Sequence, residues 1–203
     1  MNFSKFQTEL RPLLVFNTRD IHKIEIDFNS VNLNNWLNLD YIVKLTKGVY
    51  TFADTTIDKR LLYYAANKLI DPSYVSCETA LSYYKLLDDE DSVVSVNPIK
   101  TYEYKSIEGK FKFHKSKPLL MKDYNLVMLN QHTFKIATPE KAIVDFFFFN
   151  PKYLMRKQIK DLAFERNGLR EKVEADKINS ISTDFKNELL ERRIRNFINI
   201  FMR

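Results

Sequence analysis

The sequence FKIATPEKAIVDFFFF, residues 134–149, predicts a strand that leads directly into a buried helix. Thr133–Ala137 alternates and is rich in β-forming residues. Thr138 is a suitable N-cap, Pro139 fits the first helical position, and Glu140 complements the positive helix end. The apolar residues that follow cover so much of the helix that we expect it to be central, with its Asp145 as a structural anchor.

The residues before this segment read as strands from Val93 onward. The runs TYEYKSI and KFKFHKS are predicted to pair through Glu108 and Gly109, and YNLVML and TFKIAT through Asn130 and Gln131. We therefore predict a mostly antiparallel sheet that feeds the helix beginning at Pro139.

Residues 100–122 form the most basic stretch, with seven lysines against Glu103 and Glu108. In KFKFHK the lysines alternate with Phe111 and Phe113, which predicts a lysine face above buried phenylalanines. This face is either an ordinary solvated strand surface or a surface for an acidic partner. The predicted acidic-partner surface comprises Lys105, Lys110, Lys112, Lys115 and Lys117.

The N-terminal part predicts three short helices followed by a hairpin, which is the order of a winged helix-turn-helix. The helices are placed at Ser4–Leu14, at TRDIHKI with Thr18 as N-cap, and from Asn29 or Ser30, and the hairpin strands at Tyr41–Leu45 and Val49–Phe52. In such a fold the third helix enters the major groove and the hairpin touches the DNA backbone.

The third helix supplies polar side chains that suit base reading, since asparagine can bind adenine through two hydrogen bonds. The predicted DNA-binding residues are Arg19, His22, Lys23, Ser30, Asn32, Asn34, Asn35, Lys44 and Lys47. Residues 1–54 carry six basic and six acidic side chains, so they predict weak DNA binding unless the charges segregate or the protein dimerises. The alternative is a winged helix that binds another protein.

The remaining segments predict a second domain of helices and strands, with domains at 1–54 and 55–203. Ile57–Ile70 and the residues after Ser76, taken as an N-cap, are predicted helices. A further helix is expected at Met155–Arg166, ending at Asn167-Gly168, and a last one from about Thr183. The predicted fold class is α+β.

Composition limits the function classes. The chain has 203 residues and a formal charge of +6 at pH 7, with a pI near 9.2. This charge fits an anionic partner without requiring one. The single cysteine, Cys77, excludes an internal disulfide, and the first residues lack the apolar core of a signal peptide. We expect a cytoplasmic protein that does not enter a membrane.

The sequence lacks the motifs of common catalytic and cofactor sites. Its three glycines are scattered and form no phosphate-binding loop, and its three histidines form no H-x-x-x-H pair. We therefore predict no catalytic residue, metal or cofactor. Nucleotidyltransferase or nuclease activity is disfavoured because clustered glycines and paired metal-binding carboxylates are missing.

Three segments together resemble the AbiEi-type antitoxin family of abortive-infection (type IV) toxin–antitoxin systems: GVYTF, NKLIDPSYVSCETALSYYKLL and KIATPEKAIVDFFFF. The resemblance covers about Thr18–Phe149. The matching residues are Pro72, Ser73, Tyr74, Ser76, Glu78, Ala80, Leu81, Thr138, Pro139, Glu140, Lys141, Ala142 and Asp145. We interpret them as structural signatures of the family.

This resemblance implies a non-enzymatic antitoxin whose N-terminal winged helix binds operator DNA and represses its own operon. The C-terminal domain would counter a nucleotidyltransferase-like toxin. The expected partners are operator DNA with inverted repeats, the cognate toxin and a second copy of the chain or cooperative neighbours on DNA. The alternative is a stand-alone winged-helix regulator or protein-interaction module with no cognate toxin.

Overall fold

The computed structural model describes residues 2–88 and 90–202, and within them the protein is a mixed α+β fold. The helices are α1 (Phe3–Leu10), α2 (Thr18–Ile24), α3 (Val31–Asn38), α4 (Lys59–Leu69), α5 (Cys77–Tyr83), α6 (Pro139–Phe149), α7 (Arg156–Lys160), α8 (Arg166–Lys172), α9 (Ala175–Asp184) and α10 (Glu188–Phe201). The strands are β1 (Phe16–Asn17), β2 (Ile42–Thr46), β3 (Val49–Phe52), β4 (Tyr74–Val75), β5 (Ser92–Asn97), β6 (Tyr102–Ser106), β7 (Gly109–Lys115), β8 (Tyr124–Leu129) and β9 (His132–Ala137).

The strands of the described residues form one mixed sheet in the order β1-β3-β2-β6-β7-β5-β4-β9-β8. Most pairings are antiparallel, as predicted, but β5–β7 and β4–β9 are parallel. The strands from residues 16–52 join those from the rest of the chain through a single pairing, Thr46 with Ser106. The sheet is therefore continuous, but β2 and β6 pair over only one residue from each strand.

The N-terminal part combines α1, β1, α2, α3 and the β2–β3 hairpin, with β1 antiparallel to β3. Its own apolar cluster is rich in aromatic rings, among them Phe6, Phe16, Phe28, Trp36 and Phe52. The Phe6 ring lies 4.4 Å from that of Trp36, which joins α1 to α3. Burial of these rings fixes the three helices against the hairpin.

Local sequence explains where the first helices begin and end. Pro12 cannot continue α1, which ends at Leu10 and passes into a 3-10 turn. The predicted N-cap of α2 was wrong by one residue, because the Asn17 side chain accepts from the Asp20 N–H and forms a capping box. Gly48, with φ +76°, closes the β2–β3 hairpin as predicted.

The predicted central helix is confirmed. α6 runs over Pro139–Phe149, and the Thr138 side chain accepts from the Lys141 N–H at 3.3 Å. It packs against α5, α9 and α10 and is buried along most of its length. α4 packs on the sheet through β4, β5 and β9. α6 thus holds the helical layer to the sheet.

One other helix prediction is confirmed in part and two were wrong. Ser76 is the N-cap residue of α5, as predicted, but its side chain makes no capping hydrogen bond, because its hydroxyl donates to Asp145. The predicted helix 155–166 ends at Lys160, and Gly168 lies inside α8, where an added Cβ would be 3.1 Å from the Leu86 side chain. The last helix begins at Glu188 instead of near Thr183.

No helix in residues 2–88 or 90–202 has the length and apolar character needed to cross a membrane.

Candidate nucleic-acid interface

α3 presents a polar face to solvent. Leu33 and Trp36 point into the core, which turns Asn34 and Asn35 outward as exposed side chains. Ser30, at the start of the helix, is also exposed, whereas Asn32 is half-buried. The predicted reading residues therefore lie on α3, with Asn34 and Asn35 the most accessible of its predicted asparagines.

The predicted backbone-binding residues of α2 are exposed, but two of them already have partners. Lys23 Nζ lies 3.7 Å from Asp20 Oδ1, and Lys68 Nζ lies 3.3 Å from Asp20 Oδ2. The His22 ring Nδ1 lies 3.1 Å from the Ile26 carbonyl oxygen. Arg19 is exposed, and no carboxylate among the described residues forms an ion pair with it.

A groove of about 960 Å³ separates the β2–β3 hairpin from β6. We call it the basic groove, after Lys44, Lys47, Lys100 and Lys105, which line it. Its other lining residues are Leu45, Thr46, Gly48, Leu69, Tyr102, Glu103, Tyr104, Ser106 and Ile107. The groove brings together Lys44 and Lys47, which are predicted DNA-binding residues, and Lys105, which belongs to the predicted acidic-partner surface.

The groove exists because β2 and β6 pair at only one position. Thr46 is opposite Ser106, its hydroxyl donates to the Lys105 carbonyl at 2.6 Å, and the Ile107 N–H donates to the Leu45 carbonyl at 3.0 Å. These bonds hold one end of the two strands together. The rest of β6 pairs only with β7, so its other side borders open space.

Two tyrosines and a lysine form the far wall of the groove. The rings of Tyr102 and Tyr104 lie 4.6 Å apart, and Tyr102 is 52% exposed. Lys100 Nζ donates to the Tyr104 hydroxyl at 2.9 Å and lies 4.7 Å from the centre of the Tyr102 ring. Exposed aromatic faces beside lysines suit contact with bases and phosphates.

The electrostatic balance of the groove is positive. Its one acidic lining residue, Glu103, lies 2.7 Å from Lys110 Nζ, and this hydrogen bond lowers the pKa of the Glu103 carboxyl. Within the described parts of the chain, none of the four groove lysines forms an ion pair with a carboxylate. Their charges are therefore available to an anion.

The predicted acidic-partner surface is only partly assembled. Lys105 is directly opposite Lys110, and Glu103 is opposite Lys112, so these four side chains share one face of the sheet. The structure does not bring Lys115 onto this face, because Lys115 alternates in phase with Phe111 and Phe113 and its side chain therefore lies on the other face of β7. Lys117 is exposed beyond the end of β7.

The two motifs that carry the family resemblance meet in the core. Asp145 Oδ1 accepts from Lys141 Nζ at 2.8 Å, while its Oδ2 accepts from the Tyr74 hydroxyl at 2.9 Å and the Ser76 hydroxyl at 2.8 Å. Burial and the nearby carboxylate raise the pKa of Tyr74 well above its usual value. All four side chains are buried, so this network holds β4 to α6 and is closed to ligands.

Sequence reasoning missed three residues of the groove as site residues: Lys100, Tyr102 and Tyr104. Their signal was the run KTYEY, in which aromatic and charged residues alternate next to a lysine. The proximity of this run to Lys44 depends on the pairing of β2 with β6, which no local pattern specifies.

Among the described residues, no group of three or more His, Cys, Asp or Glu side chains could hold a metal ion. The sequence matches no protein-family model, and no curated protein sequence matches it.

Proposed function

We propose that this protein is a non-enzymatic antitoxin and a DNA-binding transcriptional autorepressor. Residues 1–54 act as a winged helix-turn-helix that binds operator DNA carrying inverted repeats. Residues 55–203 counteract a cognate nucleotidyltransferase-like toxin. The resemblance of residues 18–149 to AbiEi-type antitoxins motivates both roles, and the exposed face of α3, the basic groove and the buried network around Asp145 support them.

The N-terminal elements support the DNA-binding role. The order α1, β1, α2, α3, β2, β3, with β1 beside β3, is that expected of a winged helix. Asn34 and Asn35 project from α3, the helix that would enter the major groove. Both amides have free donors and acceptors for base edges, since no hydrogen bond engages their side chains within the described chain.

The basic groove is the observation that carries the proposal. Residues 1–54 are formally neutral, which would give weak attraction to phosphates. The groove adds Lys100 and Lys105 from the second part of the chain to Lys44 and Lys47 of the hairpin. A DNA backbone along the hairpin would then meet four lysines instead of two, and none of the four forms an ion pair with a carboxylate of the described residues.

The buried network supports the resemblance to antitoxins. The motif around Tyr74 and Ser76 and the motif around Lys141 and Asp145 are separated by more than sixty residues in sequence, yet they bind one another directly. Residues that match a family in two distant segments thus form one structural unit. This is the role that we assign to them, and toxin neutralisation would depend on surfaces that this unit supports.

The second candidate is a winged-helix protein-interaction module. It is favoured by three exposed apolar side chains around α3: Ile26, Val31 and Leu39, of which Ile26 is 84% exposed. Apolar side chains of this kind suit a protein partner better than a phosphate backbone. Such a module would bind DNA weakly and with little dependence on salt.

Two experiments test the proposal. Fluorescence anisotropy with a labelled duplex from upstream of the protein's own gene should show saturable binding that exceeds binding to a scrambled duplex of equal length. Co-expression with a neighbouring nucleotidyltransferase-like toxin, if the operon encodes one, should restore growth. Equal affinity for the two duplexes would contradict specific repression, and persistent growth arrest would contradict the antitoxin role.

A further inference from the structure

β8 forms one edge of the sheet, and no strand within residues 2–88 or 90–202 pairs with its outer side. Edge strands are usually protected by charged side chains, prolines, bulges or short length. β8 is six residues long, pairs with β9 in unbroken register and contains neither charge nor proline. The residues of β8 themselves therefore provide none of the common devices that prevent strand pairing.

The backbone groups on the open side can be assigned from the hairpin. Leu129 is opposite His132 across a two-residue loop, so these two residues exchange hydrogen bonds. In an antiparallel pair of strands, hydrogen-bonded and non-hydrogen-bonded residue pairs alternate. The Thr138 N–H donates to the Asp123 carbonyl at 2.9 Å, so the pair at the other end of the hairpin is also hydrogen-bonded, as this alternation requires. The odd-numbered residues of β8 therefore bond to β9.

The even-numbered residues of β8 consequently direct their N–H and C=O groups away from the sheet. They are Tyr124, Leu126 and Met128. Only one of their outward groups has a protein partner among the described residues, the Met128 carbonyl, which accepts from the Arg60 guanidinium. The side chains of the same three residues lie on one sheet face and are 37%, 62% and 58% exposed.

We propose that β8 pairs with β8 of a second copy of this chain, antiparallel and around a two-fold axis at Leu126. Leu126 of one copy is then opposite Leu126 of the other, and Tyr124 is opposite Met128, so the outward backbone groups match in register. The exposed apolar side chains of both strands merge into one stripe. The two sheets become a single continuous sheet.

Charge complementarity favours a second copy over an unrelated strand. In this register Arg60, which lies at the Met128 carbonyl, is beside Tyr124 of the other copy and therefore next to its Asp123. The Asp123 carboxylate forms no ion pair among the described residues. The two-fold axis produces this Arg60–Asp123 pairing twice, and no like charges meet along the strands.

The size of the contact predicts how strong the dimer is. A standard stable interface buries roughly 800 Å² on each partner. One six-residue strand with three apolar side chains provides less, so we expect a dimer that dissociates at micromolar concentration. This inference does not depend on DNA binding, and it would hold if the protein bound only other proteins.

Sedimentation velocity over a wide concentration range tests the pairing. The wild-type protein should shift from monomer to dimer as concentration rises. Leu126→Pro removes an N–H that β9 does not use, and Leu126→Lys adds repulsion between copies, so both should raise the dissociation constant by about tenfold or more. Leu189→Lys makes the same change at a leucine of α10 that is 59% exposed, and it should leave association unchanged.

A cross-linking variant tests the register. Cα atoms of a hydrogen-bonded antiparallel pair lie ~5.5 Å apart, within reach of a disulfide. Leu126→Cys should therefore yield a covalent dimer on mild oxidation, whereas Asn125→Cys should not, because this register places Asn125 opposite Val127 of the other copy. Cys77 is buried, so the wild-type protein should give none.

The proposal is overturned if the wild-type protein remains monomeric at the highest concentration. It is also overturned if Leu126→Pro and Leu126→Lys, shown by circular dichroism to be folded, associate as the wild type does. An oxidised Leu126→Cys protein that stays monomeric, or equal cross-linking of Asn125→Cys, would contradict the register. DNA binding by a strictly monomeric protein would overturn this inference and leave the proposed function intact.

Discussion

Lys141 and Asp145, one turn apart on α6, form an ion pair at 2.8 Å whose two side chains are almost completely buried. Two hydroxyl groups from the β4 region, those of Tyr74 and Ser76, complete the hydrogen bonding of the carboxylate. A buried pair of this kind is stable only while every member is present. These hydrogen bonds explain how two charged residues, Lys141 and Asp145, can be buried in the apolar helix α6.

Asp145→Ala should lower the free energy of unfolding by about 3–5 kcal/mol, because it leaves the Lys141 ammonium buried without a counter-charge. Urea denaturation of both proteins, followed by circular dichroism, measures this change. Asp184→Ala removes the carboxylate of the exposed Lys122–Asp184 pair and serves as a control with a much smaller expected loss. Equal losses for the two variants would show that the buried pair has no special structural role.

Tyr74→Phe tests the same network with a smaller change. It removes only a hydroxyl that donates to a charged acceptor, which corresponds to about 1.5–3 kcal/mol of stability. The Asp145 carboxylate still accepts hydrogen bonds from Lys141 and Ser76 in this variant, so the protein should still fold. Thermal or urea unfolding should place this variant between the wild type and Asp145→Ala, and wild-type stability would contradict the network.

His114 predicts a pH dependence of stability. Its ring stacks on Phe149 at 4.5 Å, and burial lowers its pKa. The unfolded chain therefore takes up a proton below about pH 6.5 while the folded chain does not, and stability falls as pH decreases from there toward the lower folded pKa. His114→Gln should flatten this fall in urea titrations. If the stability of His114→Gln depends on pH as that of the wild type does, His114 is not the cause of the pH dependence.

Local chemistry explains which parts of the fold were predictable. The cap at Thr138 and the glycine turn at Gly48 are specified by residues within a few positions, and both are confirmed. Gly168 misled the prediction because a glycine also occurs where a helix passes close to another side chain, here that of Leu86. Ser76 occupies the predicted N-cap position but makes no capping hydrogen bond, because its hydroxyl donates to Asp145, 69 residues away in the sequence.

The candidate site was less predictable than the fold. Exposure of Asn34 and Asn35 follows from the helical period that buries Leu33 and Trp36. No helical or strand periodicity in the sequence predicts the basic groove, because Lys44 and Lys100 line the same groove only as a result of the β2–β6 pairing. The pairing of these two strands, which are distant in sequence, thus decides the electrostatics of the proposed interface.

The exposed asparagines of α3 predict sequence-specific binding. Asn34→Ala combined with Asn35→Ala should reduce affinity for the protein's own operator, since each lost bidentate contact corresponds to about 1–3 kcal/mol of base discrimination. Affinity for unrelated DNA should change little. Adding Asn32→Ala, at a half-buried position, should have a smaller further effect on binding.

Asn199→Ala makes the same change on the exposed surface of α10 and is the matched control. Competition anisotropy with operator and scrambled duplexes measures both affinities. An unchanged ratio of the two affinities in the α3 variant would eliminate α3 as the recognition helix.

The lysines of the second part of the chain test whether the groove extends the interface. Lys100→Gln with Lys105→Gln should weaken binding to operator and unrelated duplexes alike, because phosphate contacts carry no sequence information. Lys115→Gln with Lys117→Gln removes equal charge outside the groove and should have a smaller effect. Similar losses in the two variants would indicate attraction to net charge and no defined groove.

The most direct test of the DNA-binding proposal is the slope of log affinity against log salt concentration for the operator duplex. Each phosphate contact contributes about −0.9 to this slope. The four groove lysines therefore predict a wild-type slope of roughly −3.6 or steeper, and a variant with Lys44, Lys47, Lys100 and Lys105 changed to Gln should lose most of it. A wild-type slope near zero, or an unchanged slope in the variant, would contradict the proposal that this groove binds DNA.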